Sequence, residues 1–142
     1  MQSKGRILQD AIELLRRRIT EVTFIGCQEV MNYFPMACCK VASMFLARYL
    51  VDKEIADPDE IFLVANTSIG QSFHAWLELN NLIVDITIDQ FTETKSFVFE
   101  IDSTFHKKFK DGMKYKYQDF MLFNDRYERD FEINYSCLID IQ

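Results

Sequence analysis

Apolar residues recur at three- and four-residue steps near the start of the chain: Ile7, Leu8, Ala11, Ile12, Leu15, Ile19 and Val22. This spacing predicts a helix from about Ser3 to Thr23 with one stripe turned to a core. From Phe24 to Phe34 the period is lost, and Gly26 and Pro35 interrupt the stretch, which reads as loop with room for one helical turn. The run from Cys39 to Leu50 is rich in helix formers. Its apolar residues Val41, Ala42, Phe45, Leu46, Tyr49 and Leu50 make so wide a face that the spacing predicts a central, buried helix. Proline disfavours helical geometry at the residue before it and pre-sets its own φ, so this helix should begin within a few residues of Pro35. Cys39 then falls in the first turn.

Beyond the turn signal Asp57-Pro58-Asp59, the short apolar run from Ile61 to Ala65 reads as a buried strand, and Thr67 to Ser72 as a polar loop. The β-rich runs His74–Leu79 and Leu82–Ile88 are separated by Asn80-Asn81, residues that tolerate the left-handed backbone of a tight turn. An antiparallel hairpin follows. One more strand is expected over Ser96 to Ile101, and a short amphipathic helix over Ser103 to Lys110. Phe120, Phe123, Tyr127, Phe131 and Leu138 suggest a C-terminal helix, although Phe131 to Tyr135 also alternates as a strand would. Residues 1–142 read as a single domain, with no internal repeat, low-complexity segment or linker.

With 49% hydrophobic and 14% aromatic residues, the composition is that of a globular chain rather than a disordered or fibrous one. The formal net charge of −6 disfavours nucleic acid and anionic membrane surfaces as partners. Arg16-Arg17-Arg18 is flanked by Glu13 and Glu21 and reads as a solvated helix face. The N-terminus does not have the form of a secretory signal, and no apolar run reaches the roughly 18 residues a bilayer span needs, so the expectation is a cytoplasmic protein. Cys27, Cys38, Cys39 and Cys137 would there stay as thiols. Cys-x-x-Cys spacing is absent, and the adjacent Cys38-Cys39 pair is strained for one zinc ion, so neither a metal nor another cofactor is expected.

The candidate chemistry lies in three residues. A cysteine attacks as its thiolate, and a first-turn position offers unpaired amides and the positive end of the helix dipole to stabilise that charge, which suits Cys39. The same amides could bind the oxyanion of a tetrahedral intermediate. A histidine must hold the proton, and a hydrogen-bond acceptor must fix its tautomer. His74 and Asp85 lie 11 residues apart across the Asn80-Asn81 turn. Pairing across that turn sets His74 opposite about Thr87, with Asp85 a diagonal neighbour on the same face. Taken singly, a cysteine at a helix start is usually core filler and a strand histidine usually structural. A carboxylate within Leu82-Ile83-Val84-Asp85-Ile86 is different, because an unpaired buried charge costs several kcal/mol, and His74 is the best-placed partner. Trp76 would wall a cleft or join the core, and His106, beside Lys107 and Lys108, reads as a surface residue.

The order Phe34-Pro35, Cys39, Ser43, then His74-Ala75-Trp76-Leu77-Glu78, then Val84-Asp85-Ile86-Thr87 resembles the transglutaminase-like branch of the papain-like cysteine protease superfamily. Asp85-Ile86-Thr87-Ile88-Asp89-Gln90-Phe91 looks like the end of this motif in small bacterial members. The resemblance spans about Phe34 to Phe91. It implies an α+β fold in which a helix that starts at the nucleophilic Cys39 packs on a small antiparallel sheet carrying His74 and Asp85. It also implies acyl transfer at an amide bond of a protein or peptide substrate, as a protease, amidase or transglutaminase. Small members often carry Gly at the positions of Ala37 and Lys40, so Lys40 either crowds the cleft or offers a cationic contact. Gln28 is the upstream polar side chain suited to an oxyanion hole, with a structural role as its alternative. Two other classes remain open: an inactive binding module of this fold, and an effector or toxin domain that modifies a target protein.

Overall fold

The computed structural model describes residues 3–36, 38–66, 73–109 and 112–140. The first helix, α1 (Lys4–Ile19), is capped by Ser3, whose hydroxyl accepts from the Arg6 amide at 3.2 Å. Its buried face is Leu8, Ala11, Ile12, Leu15 and Ile19, the predicted stripe. It stops four residues short of the predicted Thr23, within a run of β-branched residues whose restricted χ1 disfavours a helix. The expected loop is instead a kinked 3-10 segment, Gly26–Tyr33. Gly26 has φ +61°, and a Cβ there would collide with the Asp130 carboxylate, which accepts from the Cys27 amide at 3.1 Å. That close approach requires glycine.

The central helix α2 (Cys39–Asp52) opens at Cys39 itself and buries Cys39, Ala42 to Ala47, Tyr49 and Leu50. Its Phe45 stacks on Phe131, with ring centroids 4.5 Å apart. Phe131 belongs to α4 (Asp125–Ile139), where Phe131, Tyr135 and Leu138 are buried at helical spacing. The strand-like alternation near Phe131 is thereby overridden by a helix that Asn124 caps through the Tyr127 amide at 2.9 Å.

The strands β1 (Ile61–Asn66), β2 (Ala75–Leu79), β3 (Leu82–Val84), β4 (Val98–Glu100) and β5 (Gly112–Lys116) form one antiparallel sheet in the order β4-β3-β2-β1-β5. Leu79 pairs with Leu82 around Asn80, whose φ of 54° is the left-handed backbone the turn requires. The fold is thus mixed α+β, with a helix that begins at Cys39 packed on a small antiparallel sheet. Strand β5 and the short α3 (Tyr117–Phe120) are additions the pattern did not predict. The expected polar loop from Thr67 to Ser72 lies outside the described residues, as does Ala37.

One sheet face, with Leu63, Ala65, Ala75, Leu77 and Leu79, joins the helices in the main core. The opposite face carries Val64, Trp76 and Ile83 under Phe99 and Phe109. Among the described residues no helix is long and apolar enough to cross a membrane. Arg16 departs from its expected solvated position. It turns inward to pair with Asp89, and its guanidinium lies 4.8 Å and 4.5 Å from the Phe34 and Phe97 ring centroids.

Candidate active site

Asp85 is the centre of the polar cluster. It lies one residue beyond β3, and its backbone amide donates to the Phe97 carbonyl at 2.8 Å, which holds the chain as it leaves the sheet. The side chain is fully buried. Oδ2 accepts from His74 Nε2 at 2.7 Å, the pairing predicted from the hairpin, and Oδ1 accepts from the Thr87 amide at 3.2 Å. A second imidazole was not anticipated: His106 Nε2 also lies 2.7 Å from Asp85 Oδ2. His106 is therefore not the expected surface residue; it is 3% exposed. The 3-10 turn His106–Lys108 directs Lys107 and Lys108 to solvent while the imidazole points inward. The signal that could have revealed it is the apolar bracket of Phe105 and Phe109, with Ser103 three residues upstream.

An ionised carboxylate only accepts hydrogen bonds, so both rings face Asp85 with Nε2–H. Burial opposes the charge on Asp85, but the hydrogen bonds from His106 and His74 outweigh it and hold the carboxyl below its usual range. On the His74 ring, Nδ1 meets the amide of Gln90 at 3.5 Å, and Gln90 in turn donates to Thr87 Oγ1 at 3.1 Å. Trp76 walls both imidazoles, its ring centroid 5.5 Å from that of His74 and 4.8 Å from that of His106. Phe91, Phe105 and Phe109 complete an aromatic chamber around His74.

Cys39 approaches from the helical side. The peptide between His74 and Ala75 shows how it meets the sheet. The His74 carbonyl accepts from the Asn66 amide on the β1 side, so in a planar trans peptide the Ala75 N–H points the other way, toward β3. The β2–β3 ladder ends at Leu77 and Val84, and its next hydrogen-bonded rung would join Ala75 N–H to the Ile86 carbonyl. That rung is not made. The Ala75 amide lies close enough to the Cys39 thiol to lower its pKa, and the Ile86 carbonyl accepts from Arg16 at 2.6 Å. The thiol is thus lodged where the sheet opens, one peptide from His74. Among the described residues no hydrogen bond joins the sulfur to the His74 ring, which shares the Trp76 face of the sheet.

Cys39 is 4% exposed. Burial pushes its pKa up to about 11, against the lowering effect of the Ala75, Lys40 and Cys39 amides. The first-turn position therefore acts in the predicted direction but loses to desolvation. Cys38 is likewise pushed up, to about 12, chiefly by burial and then by its neighbour Cys39. A cavity of about 330 Å³ is lined by Lys40, Phe73, Tyr115, Phe120 and Leu122 among others. Lys40 and Phe73 are the chain neighbours of Cys39 and His74. Gln28, the upstream candidate for an oxyanion hole, accepts from Asn134 Nδ2 at 2.7 Å and so takes part in seating α4.

His74, Asp85 and His106 form the group of metal-ligating side chains among the described residues, with their donor atoms within 4.8 Å of one another. Ligands about 2.0–2.1 Å from tetrahedral zinc stand roughly 3.3 Å apart, whereas the two nitrogen–oxygen distances of 2.7 Å suit N–H···O bonds. Those distances are the ones of a hydrogen-bonded cluster. No protein-family model, curated protein or solved structure matches the chain.

Proposed function

We propose that the chain is a cysteine-dependent acyl transferase or hydrolase of the transglutaminase-like, papain-like type, with Cys39 as nucleophile, His74 as base and Asp85 orienting the imidazole. The observation that supports it is the convergence on the 74–75 peptide. The amide of that peptide favours the Cys39 thiolate, and its histidine carries a base whose far nitrogen is tied to a buried carboxylate at 2.7 Å. In this reading His74 Nδ1 takes the thiol proton as the sulfur bonds to an amide carbonyl carbon. The helix-start amides stabilise the oxyanion, and the carbon–nitrogen bond breaks as the proton passes to the leaving amine. Water then attacks the thioester, giving one proton back through His74 to the sulfur as the acid departs. An amine in place of water would make the enzyme a transglutaminase. The substrate is a protein or peptide, and the compartment is the cytoplasm, where a catalytic thiol stays reduced.

The test is release of a fluorescent amine from a mixture of peptide amides by the wild type and by Cys39→Ala and His74→Asn. The reading requires turnover that disappears in Cys39→Ala and falls at least about a hundredfold in His74→Asn. Equal turnover by wild type and Cys39→Ala would refute it. A second reading, an inactive binding module of the same fold, is favoured by the buried thiol and by its raised pKa. Thioester formation on Cys39 in wild-type protein, seen by intact mass, would exclude that alternative.

A further inference from the structure

Asp85 holds His74 through one oxygen that His106 also occupies, and the second imidazole has no part in the reaction just described. His106 is itself held from several directions. Its Nδ1 lies 2.7 Å from Ser103 Oγ, and its backbone amide donates to the same oxygen at 3.4 Å. Ser103 in turn donates its amide to the Glu100 carbonyl at 3.0 Å, at the end of β4. The ring lies among Trp76, Phe99 and Phe105, at centroid distances of 4.8, 5.3 and 5.2 Å. A side chain kept only to fill this space could be phenylalanine. Both ring nitrogens are instead committed to hydrogen bonds, and one of them faces the carboxylate at the same 2.7 Å as His74.

We propose that His106 is a positioning residue: backed by Ser103, it clamps the Asp85 carboxylate in the orientation that keeps Oδ2 on His74 Nε2. A carboxylate has two oxygens and one soft torsion. The Thr87 amide fixes Oδ1 by a single bond at 3.2 Å, which leaves the plane of the group free to tilt about that contact. Two N–H donors converging on Oδ2 from different elements remove this freedom, one from the start of β2 and one from the turn after β4. With Asp85 fully buried among aromatic rings, a missing donor leaves an oxygen lone pair unsatisfied. The carboxylate then tilts or draws His74 toward itself, and either movement changes where Nδ1 points. The proposal rests on the acyl-transfer reading for its kinetic consequence alone, because the hydrogen-bond geometry holds whether or not the chain turns over a substrate.

Imidazole ¹H–¹⁵N NMR of the whole chain decides between positioning and packing, in wild type, His106→Leu, His106→Gln and Ser103→Ala. Glutamine keeps an N–H donor at nearly the place of Nε2; leucine keeps only bulk. The expected result is that the His74 Nε2–H signal is displaced or lost in His106→Leu and retained in His106→Gln, while the backbone spectrum of both remains that of the folded protein. A His74 signal in the leucine variant superimposable on wild type would overturn the proposal, and so would a glutamine variant as disturbed as leucine. If leucine prevents folding, Ser103→Ala takes its place, expected to displace the His74 signal while His106→Gln leaves it; the opposite order overturns the clamp. In the peptide-amide assay the leucine variant should lose roughly tenfold to a hundredfold in kcat with KM within about twofold, and glutamine should recover most of the loss. An inactive wild type with the NMR pattern intact would sink the acyl-transfer reading and leave the clamp standing.

Discussion

Alkylation by iodoacetamide across a pH series tests how the Cys39 proton is held before any substrate arrives. The reagent consumes thiolate, so its rate follows the thiolate fraction. Burial lifts Cys39 from an ordinary 9.0 to about 11. Two pH units mean about a hundredfold less thiolate at pH 7.5 than an unperturbed thiol would show. The burial of Cys39 slows reagent access further, so a hundredfold is the least separation expected. Cys137 is exposed and supplies a comparison within the same molecule. Peptide mapping by mass spectrometry should show Cys137 modified first. The Cys39 rate should rise about tenfold per pH unit and reach half of its maximum only near pH 11, in a profile that Cys39→Ala removes from the map. If Cys39 instead matched Cys137 at pH 7.5, or reached half-maximal rate below about pH 8.5, the imidazole would already hold the proton in a resting thiolate–imidazolium pair. The argument that desolvation overrides the helix-start amides would then be wrong.

Two further outcomes follow from the packing and the charge of the site. Since the folded state holds the Asp85 carboxyl below its ordinary 3.8, its ionisation stabilises the fold above that pH, and the contribution is lost as pH falls through the lower, folded value. Urea midpoints measured from pH 5 downward should therefore fall more steeply below about 3.8 for wild type than for Asp85→Asn, and parallel curves would refute this. Gly26→Ala combines a positive φ with a Cβ driven into the Asp130 carboxylate, so it should cost about 1–3 kcal/mol in denaturant unfolding; a loss under about 0.5 kcal/mol would show that the turn relaxes freely.

The parts of this site that could be read from the sequence are those set by local rules. Asn80-Asn81 dictates a tight turn, the turn dictates that Leu79 faces Leu82, and period-two alternation then carries His74 and Asp85 to one face. Pro35 likewise marks where α2 can begin, and the helix starts at Cys39. His106 escaped because its burial comes from tertiary packing 21 residues beyond Asp85, while its immediate neighbours are exposed lysines. Strand β5 escaped because an edge strand with mostly exposed side chains shows no alternation between core and solvent. The thiol's raised pKa was hidden for a third reason. A helix terminus is visible in a sequence, but the depth at which it is sunk depends on what the rest of the chain stacks over it.

The unmade rung between Ala75 and Ile86 carries a consequence for how this fold can be stabilised. Zipping the hairpin one step further would strengthen the sheet, yet it would engage the amide that favours the Cys39 thiolate and the carbonyl that holds Arg16. Sheet continuity and thiol placement compete for the same atoms. A redesign that lengthened β3 for hardiness would gain a sturdier scaffold while leaving the thiol harder to ionise.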